Sequence, residues 1–313
     1  MSIDPDYSIV DAGLRPEDAL TPTIGYEGAA PLDAAPLREP RRRWRIGLYL
    51  ALAWLAFVTF IAFGYSLLPL ASYDQIVGTP KTGPCLCIDE PLGTDAIGRS
   101  VTSRLAVGAR QSILVATFSV GIAAVVGTLV GVSAGYWKGW TDRTISLFVT
   151  TGLAFPPLIL LLALTAMLTP SLTSITGALA ILFVFPFARL ARANTFAVTH
   201  REFVVAARVS GARHTRILLR EIVPNVAVPL ISYAFIVLAV AMVAEGSLAF
   251  LGFGIPPPTP TWGGMIAAGR PFLATDPELV FVPCIALLLT VLSLNAVGDA
   301  ARRRFEGRDI ALA

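Results

Sequence analysis

Reactive side chains are scarce in this chain, and none falls in a catalytic spacing. The two histidines, His200 and His214, both lie in an arginine-rich stretch, and neither belongs to a His-Glu-x-x-His pair able to hold zinc. No Gly-x-Ser-x-Gly turn is present to raise a serine nucleophile. The sequence also lacks a Gly-x-x-x-x-Gly-Lys-[Ser/Thr] loop to cradle phosphates, so any ATP and magnesium would have to be bound by another chain. Cys85 and Cys87 supply only half of a usual four-ligand metal site, and Cys284 lies in an apolar run, so no metal site is assigned and the pair is read as an outer-loop feature. Glu245 directly follows an uncharged apolar run. Ionising a carboxylate in hydrocarbon costs several kcal/mol unless it faces water or a partner, which makes Glu245 a candidate for a gate or a docking face. Its bland alternative is a solvated position at the outer interface. No covalent chemistry and no cofactor are expected of this chain.

The elements that would position these residues are apolar. Over 313 residues the composition is 55% hydrophobic and 14% charged, with a mean hydropathy of +0.71, which excludes an ordinary soluble domain. The net charge of +3 hides an asymmetry, because residues 1–40 hold eight acids against Arg15 and Arg38. That segment, rich in Pro, Asp, Glu, Ala and Gly, reads as a flexible tail running to about residue 44. It is no secretory signal, since the first apolar run starts near Ile46 and continues for a full span.

Six uncharged stretches approach the roughly 20 residues needed to cross about 30 Å of hydrocarbon. They are Ile46 to Leu70, Gln111 to Gly135, Thr144 to Leu168, Leu172 to Ala188, Val226 to Ala244 and Leu279 to Val297. The fourth is short and is expected to extend. Lipid offers backbone amides no partner, so each span must be helical, and the fold class is all-α and polytopic. Residues 71–110 then form an extracytoplasmic loop, 111–300 the core and 301–313 a C-terminal tail. Placing both termini in the cytoplasm collects 17 basic residues on the inner flanks against Lys81, Arg99, Arg104, Arg110 and Arg270 outside. Trp44, Tyr136, Trp137 and Trp140 would join an inner interfacial belt, and Tyr65, Tyr73 and Trp262 an outer one.

Gly127, Gly131 and Gly135 recur every fourth residue and so present one small face for close helix packing. In the third span, Phe155-Pro156-Pro157 removes backbone donors and should kink or break the helix, shaping the bundle or lining a translocation path. Between the fourth and fifth spans, residues 201–225 read REFVVAARVSGARHTRILLREIVPN. Phe203, Ala206 and Ala207 fall at helical spacing and are expected to share one face, Gly211 permits a turn, and Pro224 closes the unit. The arginines here are explained by topology and anionic headgroups, so no nucleic-acid role is assigned.

This last segment resembles the EAA loop of ABC importer permeases, with the alanine pair, Gly211 and Pro224 in the family's spacing. Val205 stands where that family usually carries glutamate. Three further stretches resemble the dipeptide and oligopeptide branch: Leu92 to Ser112 (LGTDAIGRSVTSRLAVGARQS), Ala244 to Ile266 (AEGSLAFLGFGIPPPTPTWGGMI), and Asn295, Gly298 and Asp299. The resemblance covers most of residues 46–309. It implies a type I permease fold, in which residues 201–225 dock onto an ATPase and an inner-membrane complex moves di- or oligopeptides by alternating access. Its implied partners are a second homologous permease, two cytoplasmic ATPase subunits, an extracytoplasmic solute-binding protein and membrane lipid. Nickel chelates, glutathione and haem-like ligands are alternative cargoes of the same branch. A secondary transporter would be expected to carry charges within its spans and helices broken in matched repeats. An intramembrane enzyme would need paired reactive groups inside the bundle.

Overall fold

The computed structural model describes residues 41–85 and 90–310; residues 1–40, where the acidic tail falls, and Cys87 lie outside the described residues. Helices account for most of the described backbone. Helix α1 (Arg41–Gly64) passes through a short 3₁₀ turn into an extended outer segment, and α2 (Val101–Tyr136) follows. Next come α3 (Trp140–Ala154), α4 (Pro157–Ala166) and α5 (Leu172–Val198). The short α6 (Glu202–Val209) and α7 (His214–Arg216) lead through a π-helical stretch, Ile217–Ile222, into α8 (Val223–Phe250). Finally α9 (Trp262–Gly269) precedes the long α10 (Glu278–Ile310).

Among the described residues, five helical stretches are long and apolar enough to span a membrane, and the bent pair α3–α4 makes a sixth if it is taken as one broken span. The break has a direct cause. Phe155 is extended at φ −73° and ψ 134°, as a residue before proline prefers, and neither Pro156 nor Pro157 has an N–H to continue the ladder. The two halves consequently meet at 92°, a sharper break than a simple kink.

Several helices run past their uncharged cores. Helix α2 starts ten residues ahead of Gln111, because the Ser100 side chain accepts from Ser103 N at 3.2 Å and caps the first turn. Arg104, on that first turn, is satisfied by Asp95 at 3.5 Å and by the Tyr73 and Pro258 carbonyls. Helix α5 continues ten residues beyond Ala188, through Arg189 and Arg192. Arg192 gains a partner there, with Nη2 donating to Asp142 Oδ2 of α3 at 2.8 Å. Charge ends an apolar run, but it does not end a helix whose caps and ion pairs are in place.

Helices α2 and α5 form the tightest pair. Behind Gly127 an added Cβ would lie 2.6 Å from Phe187 Cβ and 2.8 Å from Val184 O. Behind Gly135 it would lie 2.7 Å from Thr195 Cβ and 2.9 Å from Arg192 O. Gly131 is closer still to the Ala188 carbonyl. The repeat every fourth residue therefore brings backbone onto backbone, which is how helices associate where no hydrophobic effect separates them from lipid. The core extends from this seam into α8, α9 and α10, around Phe187, Leu179, Val226 and Leu248. Helix α1 is held from outside, with Trp54 Nε1 donating to Thr290 Oγ1 of α10 at 3.0 Å. The outward faces carry large apolar side chains such as Phe118, Leu129, Leu147 and Phe148, an arrangement suited to lipid rather than water.

Gly131→Val should force α2 off α5, destabilising the chain by about 1–3 kcal/mol. Gly121→Val on the same helix should be neutral, because nothing lies within 4 Å of a Cβ there. Thermal unfolding of the two variants in detergent checks the pair.

Candidate functional site

Two clusters hold the residues of 201–225 and Glu245. The first lies between α5 and α8. Helix α6 ends in a Schellman motif: Ala212 N donates to Ala207 O at 3.1 Å, and Gly211 N donates to Arg208 O at 3.0 Å. Gly211 closes it at φ +75°, where side-chained residues are strained. Val204 is the fully buried residue of α6, and Ala207 packs against the core beside it. Ala206 is exposed, Val209 is 84% exposed and Phe203 is 38% exposed. The expectation that Phe203, Ala206 and Ala207 share one outer face is thus corrected. About 100° of helical rotation separates Ala206 from Ala207, and the body of this chain takes the inner of the two.

Pro224 sits exposed in the first turn of α8. It cannot donate to the carbonyl four residues back, and the helix immediately ahead of it is widened to π geometry. Asn225 Nδ2 donates to Glu221 O at 2.6 Å within the same region. Val205 is exposed, and its backbone N–H donates to Arg201 O at 3.2 Å.

The second cluster surrounds Glu245. This residue is 1% exposed and lies inside α8, not at a solvated interface, so the solvated reading is overturned. Ser112 Oγ of α2 lies 3.4 Å from its Oε2, and Oε1 has no partner among the described residues. The same Ser112 oxygen accepts from Trp262 N of α9 at 3.2 Å. Three helices therefore meet at one serine. Trp262, expected in an outer lipid belt, is instead buried and donates its Nε1 proton to Leu105 O at 3.0 Å. Thr261 caps α9 by accepting from Gly264 N at 2.9 Å. Glu245 does not reach the surface that a binding protein could touch on this chain.

Phe155 and Pro156 are exposed at the α3–α4 break. They do not line the half-open pocket of about 160 Å³ whose walls are Leu55, Val58, Ile113, Met242 and neighbouring residues of α1, α2, α8 and α10. Cys85 is disulfide-bonded and Cys284 is free. The sequence reading missed Tyr136, placed there in a lipid belt. It is buried, and its hydroxyl lies 2.6 Å from His214 Nδ1. Its signal was its position directly after Gly135, at the end of the glycine stripe.

Residues 127–308 match the family model of the binding-protein-dependent transport system inner membrane component. The chain belongs to that family. It is 38% identical over 210 residues to the dipeptide transport system permease protein DppC of Alkalihalophilus pseudofirmus, covering 67% of this chain and 69% of that protein. It is 35% identical to the glutathione transport system permease protein GsiD of Pectobacterium atrosepticum, over 67% of this chain and 70% of the relative. For GsiD of Escherichia coli O157:H7 the identity is 35% and both coverages are 74%. The fold is shared with the MetNI methionine ABC transporter in inward-facing form, at a TM-score of 0.53 and 18% identity over 64% of this chain and 95% of that one. It is shared as well with an amino acid ABC transporter solved with histidines, at a TM-score of 0.50 and 15% identity over 65% and 94%. The protein is a multi-pass permease subunit of an ABC importer, of the peptide branch. Its relatives are transport permease subunits.

A carboxylate this buried, with only the hydroxyls of Ser112 and Thr261 beside it, is a cost to folding if it is charged. Glu245→Gln preserves the shape and removes that cost, so it should leave thermal stability in detergent unchanged or raised. Ser112→Ala should lower stability by about 1–3 kcal/mol, because it unpairs both the carboxylate and Trp262 N.

Proposed function

We propose that this permease carries short peptides inward, pairing with a second homologous permease and with two cytoplasmic ATPase subunits that bind ATP and magnesium. An extracytoplasmic solute-binding protein delivers the cargo. The cycle is alternating access, with closure of the ATPases displacing the Arg201 to Asn225 unit and so tilting the spans. The observation that carries this reading is the outer face of α6, where Ala206, Phe203 and Val209 are left uncovered beside a rigid Schellman turn. Small and apolar side chains on a short, stiffly terminated helix suit a groove on a partner. Glu245 serves as the outer gate node joining α2, α8 and α9.

The dipeptide relative supports peptide cargo, and the glutathione relatives extend it to a modified tripeptide. Both belong to one substrate class. Uptake of a labelled dipeptide by the reconstituted complex, with glutathione as competitor, distinguishes them. The isolated chain should neither hydrolyse ATP nor move solute. Glu245→Gln should reduce uptake with assembly intact.

Ala206→Asp should abolish co-purification with the ATPase subunits and the stimulation of ATP hydrolysis by loaded binding protein, because it would bury a charge without a partner. Membrane insertion and pairing with the second permease should be unaffected. Full stimulation in this variant would remove α6 as the joint.

Both termini are assigned to the cytoplasm on the basic asymmetry of the flanks. Ser210 is exposed just before the Gly211 turn. Ser210→Cys, in a chain with Cys284 replaced, should react with an impermeant thiol reagent only after permeabilisation; labelling in intact cells would invert the topology.

A further inference from the structure

We infer that Tyr136 is a positioning residue through which the docking unit moves α2, an inference that rests on the function proposed above. Tyr136 is the last residue of α2 and is 8% exposed. Its hydroxyl is 2.6 Å from His214 Nδ1, and the His214 ring stands edge-on to it with centroids 5.7 Å apart. The Arg208 guanidinium lies over the same ring at 5.6 Å from its centroid. Arg208 belongs to α6 and His214 to α7, on opposite sides of the Gly211 turn. One side chain therefore holds both arms of the docking unit.

The preceding residue explains why this contact transmits displacement. Gly135 is wedged against Thr195 and the Arg192 carbonyl of α5, so the end of α2 cannot slide independently of that helix. A displacement of α6 and α7 reaches α5 along the chain through Thr199 to Arg201. It reaches α2 through Tyr136. Lys138 makes a parallel contact with His200 at 3.2 Å, but it is exposed and screened by solvent. The Tyr136 bond is half-buried, with the ring enclosed and His214 at the surface, so it is less screened than the Lys138 contact.

The test uses the complete complex in proteoliposomes, with solute uptake and ATP hydrolysis measured together. Tyr136→Phe removes only the oxygen and keeps the ring under Arg208. It should leave ATPase subunits bound and basal hydrolysis unchanged, and lower solute moved per ATP hydrolysed by roughly two- to tenfold. His214→Leu should match it, and adding Tyr136→Phe to His214→Leu should cost little more. His214→Asn retains a hydrogen-bonding group near the Nδ1 position and should recover part of the yield. An unchanged yield in Tyr136→Phe overturns the inference. So does loss of bound ATPase in that variant, since Tyr136 would then hold the joint together without transmitting through it. Ala206→Asp in the same preparation reports on docking separately. If it loses the ATPase while Tyr136→Phe behaves as native, the proposed function stands and this inference alone fails.

Discussion

Backbone contact between α2 and α5 is the constraint on which the rest of the molecule depends. In hydrocarbon, apolar side chains gain little by leaving lipid for one another, so association rests on close packing. Three glycines four residues apart let α5 lie directly on α2, down to the Thr195 and Arg192 level. Everything on the inner side inherits that register. Tyr136 lies next to the last glycine of the stripe, Arg192 turns to Asp142 on α3, and α5 delivers the chain to α6 at a fixed height.

The outer side is organised differently. There α9 is held by hydrogen bonds and by Trp262, and the polar atoms concentrate on Ser112, which touches both Glu245 and the Trp262 amide. A glycine seam on one half and a polar node on the other divide the bundle into a stiff end and an end that holds a buried carboxylate beside two hydroxyls. Burying Glu245 this way is poor for stability, which is the usual mark of a residue kept for another purpose.

Local chemistry made much of this legible beforehand. The α3–α4 break follows from two consecutive prolines, the α2–α5 seam from a four-residue glycine repeat, and the left-handed Gly211 from a short helix that needs a stop. What could not be read were properties that depend on a second element. Ala206 and Ala207 are the same residue type in adjacent positions, and only the body of the protein decides which faces inward. Trp262 and Tyr136 look like interfacial aromatics until α2 and α7 supply their hydrogen-bond partners. Glu245 marked the right place by its charge, yet its burial depended on α9 folding over it. The ends of α2 and α5 were set short because arginines read as water-facing when their partners are distant in sequence.

The continuation of α5 beyond its apolar run has a mechanical consequence. Ten residues at about 1.5 Å each make a stalk of about 15 Å between Ala188 and the start of the docking unit. It is braced on one side by the Asp142 pair and on the other by the glycine seam. A stalk turns a small change of angle at its base into a larger translation at its tip, and works equally in reverse. The short helices α6 and α7 are therefore carried at the tip of a lever whose stiffness comes from the α2–α5 contact.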